Sequence, residues 1–314
     1  MIAALAPVLD RLMAPTAWLA AQQMMLVRKL TPGRAPACMR ALDRVGIYPL
    51  IDHYYEPMIN PRHLHRPQDA PRTLAGLHLD VQAGLALLES MAALPEPLDG
   101  PADGPVYDPD NTMFGPLDAA IYHAMIRQFR PQRIVEVGAG MSTLAAIQAT
   151  ARNAADTPGY ACDHLCIEPF EQPWLETLPV RLLRTPMERC DPAPIEALAA
   201  NDILFIDSSH MIRPQGDVLT AVLDWLGRLQ PGVLVHFHDI HTPRDYPQEL
   251  VLRHRFFWNE QYLVEAFLAY NDRFRILLPM NHLQACFPDR VAALCPAQTP
   301  ARIPPSSLWL RRVA

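Results

Sequence analysis

Four short stretches of this chain carry side chains that could do chemistry, and each follows an apolar run. They are Glu136–Gly140 in RIVEVGAGMST, Glu168 in HLCIEP, Asp207–His210 in DILFIDSSH, and His238–His241 in GVLVHFHDIH. In the first, the β-branched Ile134, Val135 and Val137 predict a short buried strand. Gly138 and Gly140 let the backbone turn sharply and approach a ligand, and Ser142 and Thr143 can cap the helix that starts there. Strand, glycine turn and helix N-terminus together form a nucleotide-binding arrangement at the carboxyl edge of an α/β sheet. The glycines alone are a weak signal, because a dinucleotide fingerprint wants a third glycine where Thr143 stands. Glu136 says more: a carboxylate just before the turn suits a cationic ligand better than a pyrophosphate. An ordinary βα turn with no ligand is the competing account.

Glu168 ends the next predicted strand, where a carboxylate can accept both hydroxyls of a ribose; the alternative is a solvated side chain before Pro169. Asp207 closes the apolar run ILFI, and a carboxylate there is costly without a partner. Four of the twelve histidines fall between residues 206 and 241. Strand alternation puts His236 and His238 on one side, and Asp239 can join His238 only because the strand ends there. Asp207, His238 and Asp239 then make a candidate divalent-metal site of two carboxylates and an imidazole. His236, further back in the strand, reads as a buried, hydrogen-bonded histidine. HFHDIH invites comparison with the H-x-H-x-D-H motif of metallo-β-lactamase-type hydrolases, but Asp239 follows His238 directly, so the spacing is wrong.

These residues need a scaffold that brings strand ends together. Residues 1–110 read as a helical and loop-rich front section, and residues 111–314 alternate helix and strand. The N-terminal MIAALAPVLDRLMAPTAWLAAQQMMLVRK is interrupted by Asp10, Arg11 and two prolines and has no basic segment before it, which predicts an amphipathic helix that packs on the domain or a second subunit, with no signal peptide and no membrane span. RALDRVG predicts a short helix ending at Gly46, and Leu77, Val81, Leu85 and Leu88 are helically spaced. PEPLDGPADGPVYDPDN reads as a linker. From residue 115 come a helix (GPLDAAIYHAMIRQF) and strands at RIVEV, 164–168, 180–183, 202–207 and 232–238. Helices are expected at EQPWLETL, DVLTAVLDWLGRL and through LVLRHRFFWNEQYLVEAFLAYN, and two last strands at RFRILLP and SSLWLRR. The alternation predicts an α/β fold with a mostly parallel, doubly wound sheet of seven strands, whose ligands sit beyond the strands' carboxyl ends.

Composition narrows the chemistry. Half of the 314 residues are hydrophobic, enough for a substantial core. The net charge of −6 argues against a nucleic-acid partner. Lys29 is the only lysine, which excludes lysine chemistry from the α/β core. The six cysteines, Cys38, Cys162, Cys166, Cys190, Cys286 and Cys295, form no C-x-x-C pair, and a reduced cytoplasmic setting is expected.

Taken together, VEVGAGMST, CIEP, DILFIDSSH, PGVLVHFHDIH and SSLWLRR resemble class I S-adenosylmethionine-dependent methyltransferases, from about Phe114 to the C-terminus. The likeness is nearest to bacterial small-molecule O-methyltransferases with FIDSSH and VHxHDI motifs, the group near macrolide-sugar methyltransferases. It implies a Rossmann-like seven-stranded sheet with the front section as a cap. It also implies S-adenosylmethionine held by Glu136, Gly138, Gly140, Ser142, Thr143 and Asp207, with Glu168 on its ribose and Met187 bordering its adenine. Metal-dependent members place ligands at the ends of the fourth and fifth strands, which match Asp207, His238 and Asp239, and a lysine base three residues after the first ligand, where this chain has His210. His238 departs from the carboxylate or amide type of that family, which leaves magnesium, manganese, iron or zinc open. The reaction implied is methyl transfer to a small-molecule or sugar hydroxyl, with His210 as general base beside Asp207. His53, Tyr54, Tyr55 and His241 are candidate acceptor contacts, and a homo-oligomer is left open. The alternatives are N-methylation of a small molecule or peptide, and a nicotinamide-dependent oxidoreductase, which would need the missing glycine and gain nothing from the histidines.

Overall fold

The sheet's strand order, β3-β2-β1-β4-β5-β7-β6, follows from where the chain reverses. In the computed structural model, which describes residues 2–30, 32–94, 105–170, 172–293 and 304–314, β1 (Arg133–Val137), β2 (Asp163–Ile167), β3 (Arg181–Leu183), β4 (Ile203–Ile206) and β5 (Leu234–Phe237) are parallel. The chain winds from β1 outward to β3, then returns to lay β4 on the other side of β1. That reversal makes the gap between β1 and β4 the switch point at which α/β sheets bind ligands. β6 (Phe274–Pro279) and β7 (Leu308–Arg312) finish the sheet antiparallel, with β7 inserted between β5 and β6. The expected Rossmann-like seven-stranded α/β architecture is present.

The central strands are buried from end to end, as expected for strands covered on both faces. On one face Ile134, Phe205, Leu234 and Trp309 pack under α4 (Pro116–Phe129) and α5 (Met141–Asp156). On the other, Val135, Leu165, Leu204 and Val235 pack with Trp225 and Leu226. The helix expected at DVLTAVLDWLGRL forms, with a wide-turn segment at Ala221–Trp225. EQPWLETL gives only a short 3-10 turn, Pro173–Thr177. The long helix expected over residues 250–271 is broken: Glu249–Arg253 forms one wide turn, residues 254–259 are mostly irregular, and Glu260–Leu268 is a separate helix.

The chain divides into two compact units, residues 1–65 and 66–314. The first holds α1 (Ile2–Leu30) and α2 (Pro36–Val45), which stops at Gly46 in the left-handed conformation. The second holds α3 (Val81–Met91), whose Leu85, Leu88 and Met91 are buried in the sheet's core. The apolar face of α3 is buried with Leu278 and Leu283 within this second unit. Part of the linker, residues 95–104, lies outside the described residues, as does Cys295. The other five cysteines are unpaired. Among the described residues no helix is long and apolar enough to cross a membrane.

Within α4, His123 is fully buried and neither ring nitrogen has a hydrogen-bond partner among the described residues. Burial, then the charges of Arg127 and Arg152, push it down to about 4. The unfolded chain takes up this proton near pH 6.5, the folded chain only near pH 4. The contribution is thus intact above pH 6.5 and falls away as pH drops toward 4, by up to ~3 kcal/mol. His123→Phe should flatten the melting temperature against pH in that window. An unchanged slope would show that this residue does not set it.

Candidate active site

The site is built where β1 and β4 end together. Gly138 turns the chain with φ of 81°, and a Cβ there would overlap the carbonyl oxygen of Asp207. Only glycine meets both demands. The main-chain N–H of Asp207 donates to Val137 O at 2.9 Å, and that of His238 donates to Ile206 O at 3.0 Å. Pairing thus continues just past the strands and sets Asp207 beside the glycine turn and His238 beside Asp207. Glu168 follows Ile167, which accepts from Gly138 N at 3.0 Å, so it too sits next to the turn. One Glu168 oxygen accepts from Phe170 N at 3.0 Å. Met187 is buried behind this edge with Val137 and Ile167.

Glu136 lies one step inside. It is fully buried, one oxygen accepting from Ser142 Oγ at 2.5 Å and Thr143 Oγ1 at 3.0 Å and the other 2.7 Å from His164 Nε2. Both oxygens are engaged by protein groups, and the carboxylate ties the first turn of α5 to β1. Thr143 Oγ1 also accepts from Gly140 N at 2.9 Å. Glu136, His164 and Cys166 bring three metal-capable atoms close together, but burial raises the Cys166 thiol far above its ordinary range, away from the thiolate a metal needs.

Beyond the turn, Asp207, His210, His238 and Asp239 face one another. His210 Nε2 is 3.3 Å from Asp207 Oδ1 and 3.4 Å from Asp239 Oδ2, while its Nδ1 is 2.8 Å from Glu260 Oε2. His238 Nδ1 is 3.4 Å from Asp207 Oδ2 and 3.7 Å from Asp239 Oδ2. Its Nε2 is 3.3 Å from Ser306 Oγ and 3.6 Å from Asp118 Oδ2. Ser306 Oγ also donates to Asp239 Oδ1 at 3.1 Å. Asp118 accepts from Ser306 N, Ser307 N and Ser307 Oγ. Each imidazole is therefore gripped from behind and turns its other nitrogen toward the Asp207–Asp239 pair.

The charges follow this geometry. Burial disfavours a charged His210, but the hydrogen bonds it donates to Asp207 and Glu260 outweigh it and hold the imidazole well above its ordinary value. For His238, burial is likewise outweighed by the charges of Asp207 and Asp239 and by the bond to Asp118. Asp207 is pushed up by burial yet held below the carboxylate range by His238 and His210. Glu260 is raised by burial, partly offset by His210. His236 and His241 go the other way, lowered by burial to about 3 and about 4. His236 stacks on Phe205, with Trp309 tilted against it and one bond to Ser307 Oγ, as the sequence reading of a buried histidine requires.

This donor set fits a divalent ion. Asp207, His238 and Asp239 each offer one ligand atom within 4.8 Å of the others, and His238 Nδ1 is buried with no hydrogen-bond partner. A carboxylate behind each ring is the usual support for an imidazole ligand, and a divalent ion can replace two imidazolium protons charge for charge. The glycine turn and Glu168 likewise fit a nucleoside-bearing ligand at the switch point.

Sequence reasoning missed Asp118, Glu260, Ser306 and Trp258. The available signal for Asp118 is that it is the one acid in an apolar helix, GPLDAAIYHAMIRQF; Glu260 falls within the long helix expected from the sequence and has no such signal. A continuous helix over residues 250–271 would put Trp258 in a core stripe with Phe256, Phe257 and Phe267. With the helix broken, Phe256 is exposed and Trp258 packs on His210 at 4.4 Å between ring centroids. His53, Tyr54 and Tyr55 belong to the smaller unit, where their rings stack on one another.

A family model described as a methyltransferase domain matches residues 135–240, which span all four strand ends of the site. Over those residues the chain is similar to a methyltransferase domain. An Archaeoglobus fulgidus protein described as uncharacterized is 28% identical over 134 residues, 39% of this chain, and the chain covers 59% of that protein's length. A solved structure described as "CmcI-N160 apo-structure" is similar at a TM-score of 0.35 and 18% identity, over 64% of this chain and 72% of that one.

The close packing at Gly138 is testable directly. Gly138→Ala adds a left-handed alanine and a backbone overlap, and should cost on the order of 3 kcal/mol or more. Thermal unfolding within a degree of the unaltered protein would refute the close packing of Gly138 on Asp207.

Proposed function

We propose that the protein transfers a methyl group from S-adenosylmethionine to a hydroxyl of a small molecule, with His210 as general base and a divalent ion at Asp207, His238 and Asp239. The observation that carries this is the meeting of the Gly138 turn, which suits the donor, with an imidazole whose Nε2 is aimed between two carboxylates. Gly138, Gly140, Glu168 and Met187 would hold the cofactor, while Glu136, Ser142 and Thr143 brace the turn. Bound S-adenosylmethionine supplies an electrophilic methyl group. A divalent ion held by the three ligands supplies Lewis acidity that lowers a hydroxyl's pKa.

The residues divide the remaining work. Glu260 fixes the His210 ring through Nδ1, which leaves Nε2 to exchange a proton with the acceptor. Asp207 and Glu260, with a smaller part from Asp239, hold the proton on His210 in the resting site. With the charge of Asp207 and Asp239 offset, Nε2 would release that proton to solvent and could take one from the acceptor hydroxyl. Trp258 covers one face of the ring and limits water access to it. Holding acceptor and donor in line supplies much of the acceleration.

Three measurements test this. Calorimetry should register uptake of S-adenosylhomocysteine, and its absence would remove the methyl donor. His210→Ala should lower turnover by ~10²–10⁴ with little change in S-adenosylhomocysteine affinity; an equal loss of both would make His210 a structural residue. Mn²⁺ binding followed by electron paramagnetic resonance should disappear in Asp207→Ala, and activity that survives chelator at full strength would take the ion out of the scheme.

A further inference from the structure

α1 of the smaller unit carries a row of uncovered leucines. Leu9, Leu12, Leu19, Leu26 and Leu30 are between 44% and 70% exposed. With the exposed Thr16 and Gln23 they recur at alternating steps of three and four residues, from Leu9 to Leu30 without a break. In the sequence, Leu5 continues the series of leucines seven residues apart. Such a repeat gathers the side chains into one seam along a helix, with the spacing at which a second helix sets its own side chains between them. Pro15 lies beside the seam, and the stretch from Thr16 to Leu30 contains no proline.

The rest of the unit does not cover this seam. Val27 is buried and Arg28 pairs with Glu56, and both lie off it. A membrane is a poor occupant. Among the described residues no helix is long and apolar enough to cross one, and Arg11, Arg28 and Lys29 are the only bases in α1, too few for the basic face of a surface-bound helix. A heptad seam calls for a helix with the same repeat, and a second copy of this chain supplies one.

The polar seam residues fix how two copies would meet. Thr16 Oγ1 already donates to Met13 O at 2.8 Å, so its hydroxyl can be covered with its proton engaged. Gln23 needs a partner once covered. A parallel, in-register copy sets Gln23 against Gln23, where the N–H of one amide donates to the carbonyl oxygen of the other, whereas an antiparallel copy sets it against leucine. Of the positions flanking the seam between Leu9 and Leu30, only Lys29 is charged, so nothing there repels an identical helix. Seven seam positions from each copy, each giving up on the order of 70 Å², bury about 1,000 Å² in total, the size at which an association becomes specific.

We propose that the chain forms a homodimer through α1, as a parallel, in-register coiled coil of two copies along Leu9, Leu12, Thr16, Leu19, Gln23, Leu26 and Leu30. This association does not depend on the methyl-transfer reading.

The test is light scattering coupled to size-exclusion chromatography, with sedimentation equilibrium, on the full chain at micromolar concentration. The mass should be twice 35.2 kDa. Leu19→Glu combined with Leu26→Glu should return it to a single chain, while Trp18→Glu, an exposed apolar residue off the seam, should leave the dimer intact. If the glutamate pair lowers the helix content by circular dichroism, Leu19→Ala with Leu26→Ala, which favours the helix, decides and should weaken dimerisation by about tenfold or more. Oxidised Gln23→Cys should give a disulfide joining the peptide that carries position 23 to its own copy. A single-chain mass for the unaltered protein, a dimer that survives the seam variants, or a dimer lost with Trp18→Glu but not with them would overturn the proposal. So would a chain that stays single and floats with phosphatidylcholine–phosphatidylglycerol vesicles. A dimer in which position 23 links only to other sites would refute the parallel register.

Discussion

The close approach of two backbones, Gly138 against Asp207, is the constraint on which the site depends. The Cβ-free residue lets β4 run on past its last paired strand residue, so that Asp207 still bonds to Val137. β5 is registered on β4 and repeats the step, with His238 bonded to Ile206. The glycine turn, the carboxylate and the imidazole thus form one row across adjacent strand ends. Their spacing is set by the pitch of the sheet rather than by flexible loops, and a row built on strands is the more rigid kind of site.

That row is expensive to bury. Asp118, Asp207, Asp239 and Glu260 surround His210 and His238 in a space largely closed to water. Buried ion pairs seldom add net stability compared with well-packed apolar side chains, because desolvation offsets their attraction. The local fold is arranged to limit this cost. Ser306 and Ser307 saturate Asp118 with donors and Glu260 satisfies one nitrogen of His210, while His238 Nδ1, beside Asp207 and Asp239, and Glu260 Oε1 are left without hydrogen-bond partners among the described residues.

How much of this could be read from the chain depended on sequence distance. The strands were legible, because buried parallel strands are short apolar runs, and the residue ending each run is adjacent to it in sequence. Glu168, Asp207, His238 and Asp239 were found that way, and the structure brings the last three together with His210. What lay behind them was not legible. Asp118 meets Ser306 across 188 residues and His210 meets Glu260 across 50, and no local pattern records such pairs. Helical spacing misled at residues 254–259, where the aromatic residues look like a core stripe. The chain stops being helical there, since Asn259 N and Glu260 N both donate to the His210 carbonyl and draw the segment onto the site. Glu136 was legible as important but not in its direction: period-two alternation gives a face, and only packing shows that the face is closed by Ser142, Thr143 and His164.

The string HFHDIH makes the physical point most sharply, because its three histidines have equivalent chemistry in the sequence and different chemistry in the fold. His236 is packed among Phe205, Tyr122 and Trp309 with one hydroxyl for company, and burial keeps it neutral. His241 is equally buried and also neutral, at the wall of a cavity. His238 is buried to the same degree, yet the carboxyl groups of Asp118, Asp207 and Asp239 reverse the balance and favour its charged form. Desolvation is common to all three, so it cannot be what distinguishes them. The difference is the number of carboxylates within about 4 Å, where a single charge outweighs much of the burial penalty. His210, drawn from another strand end, joins His238 under the same rule. Which imidazoles favour the charged form is selected by where the acids converge.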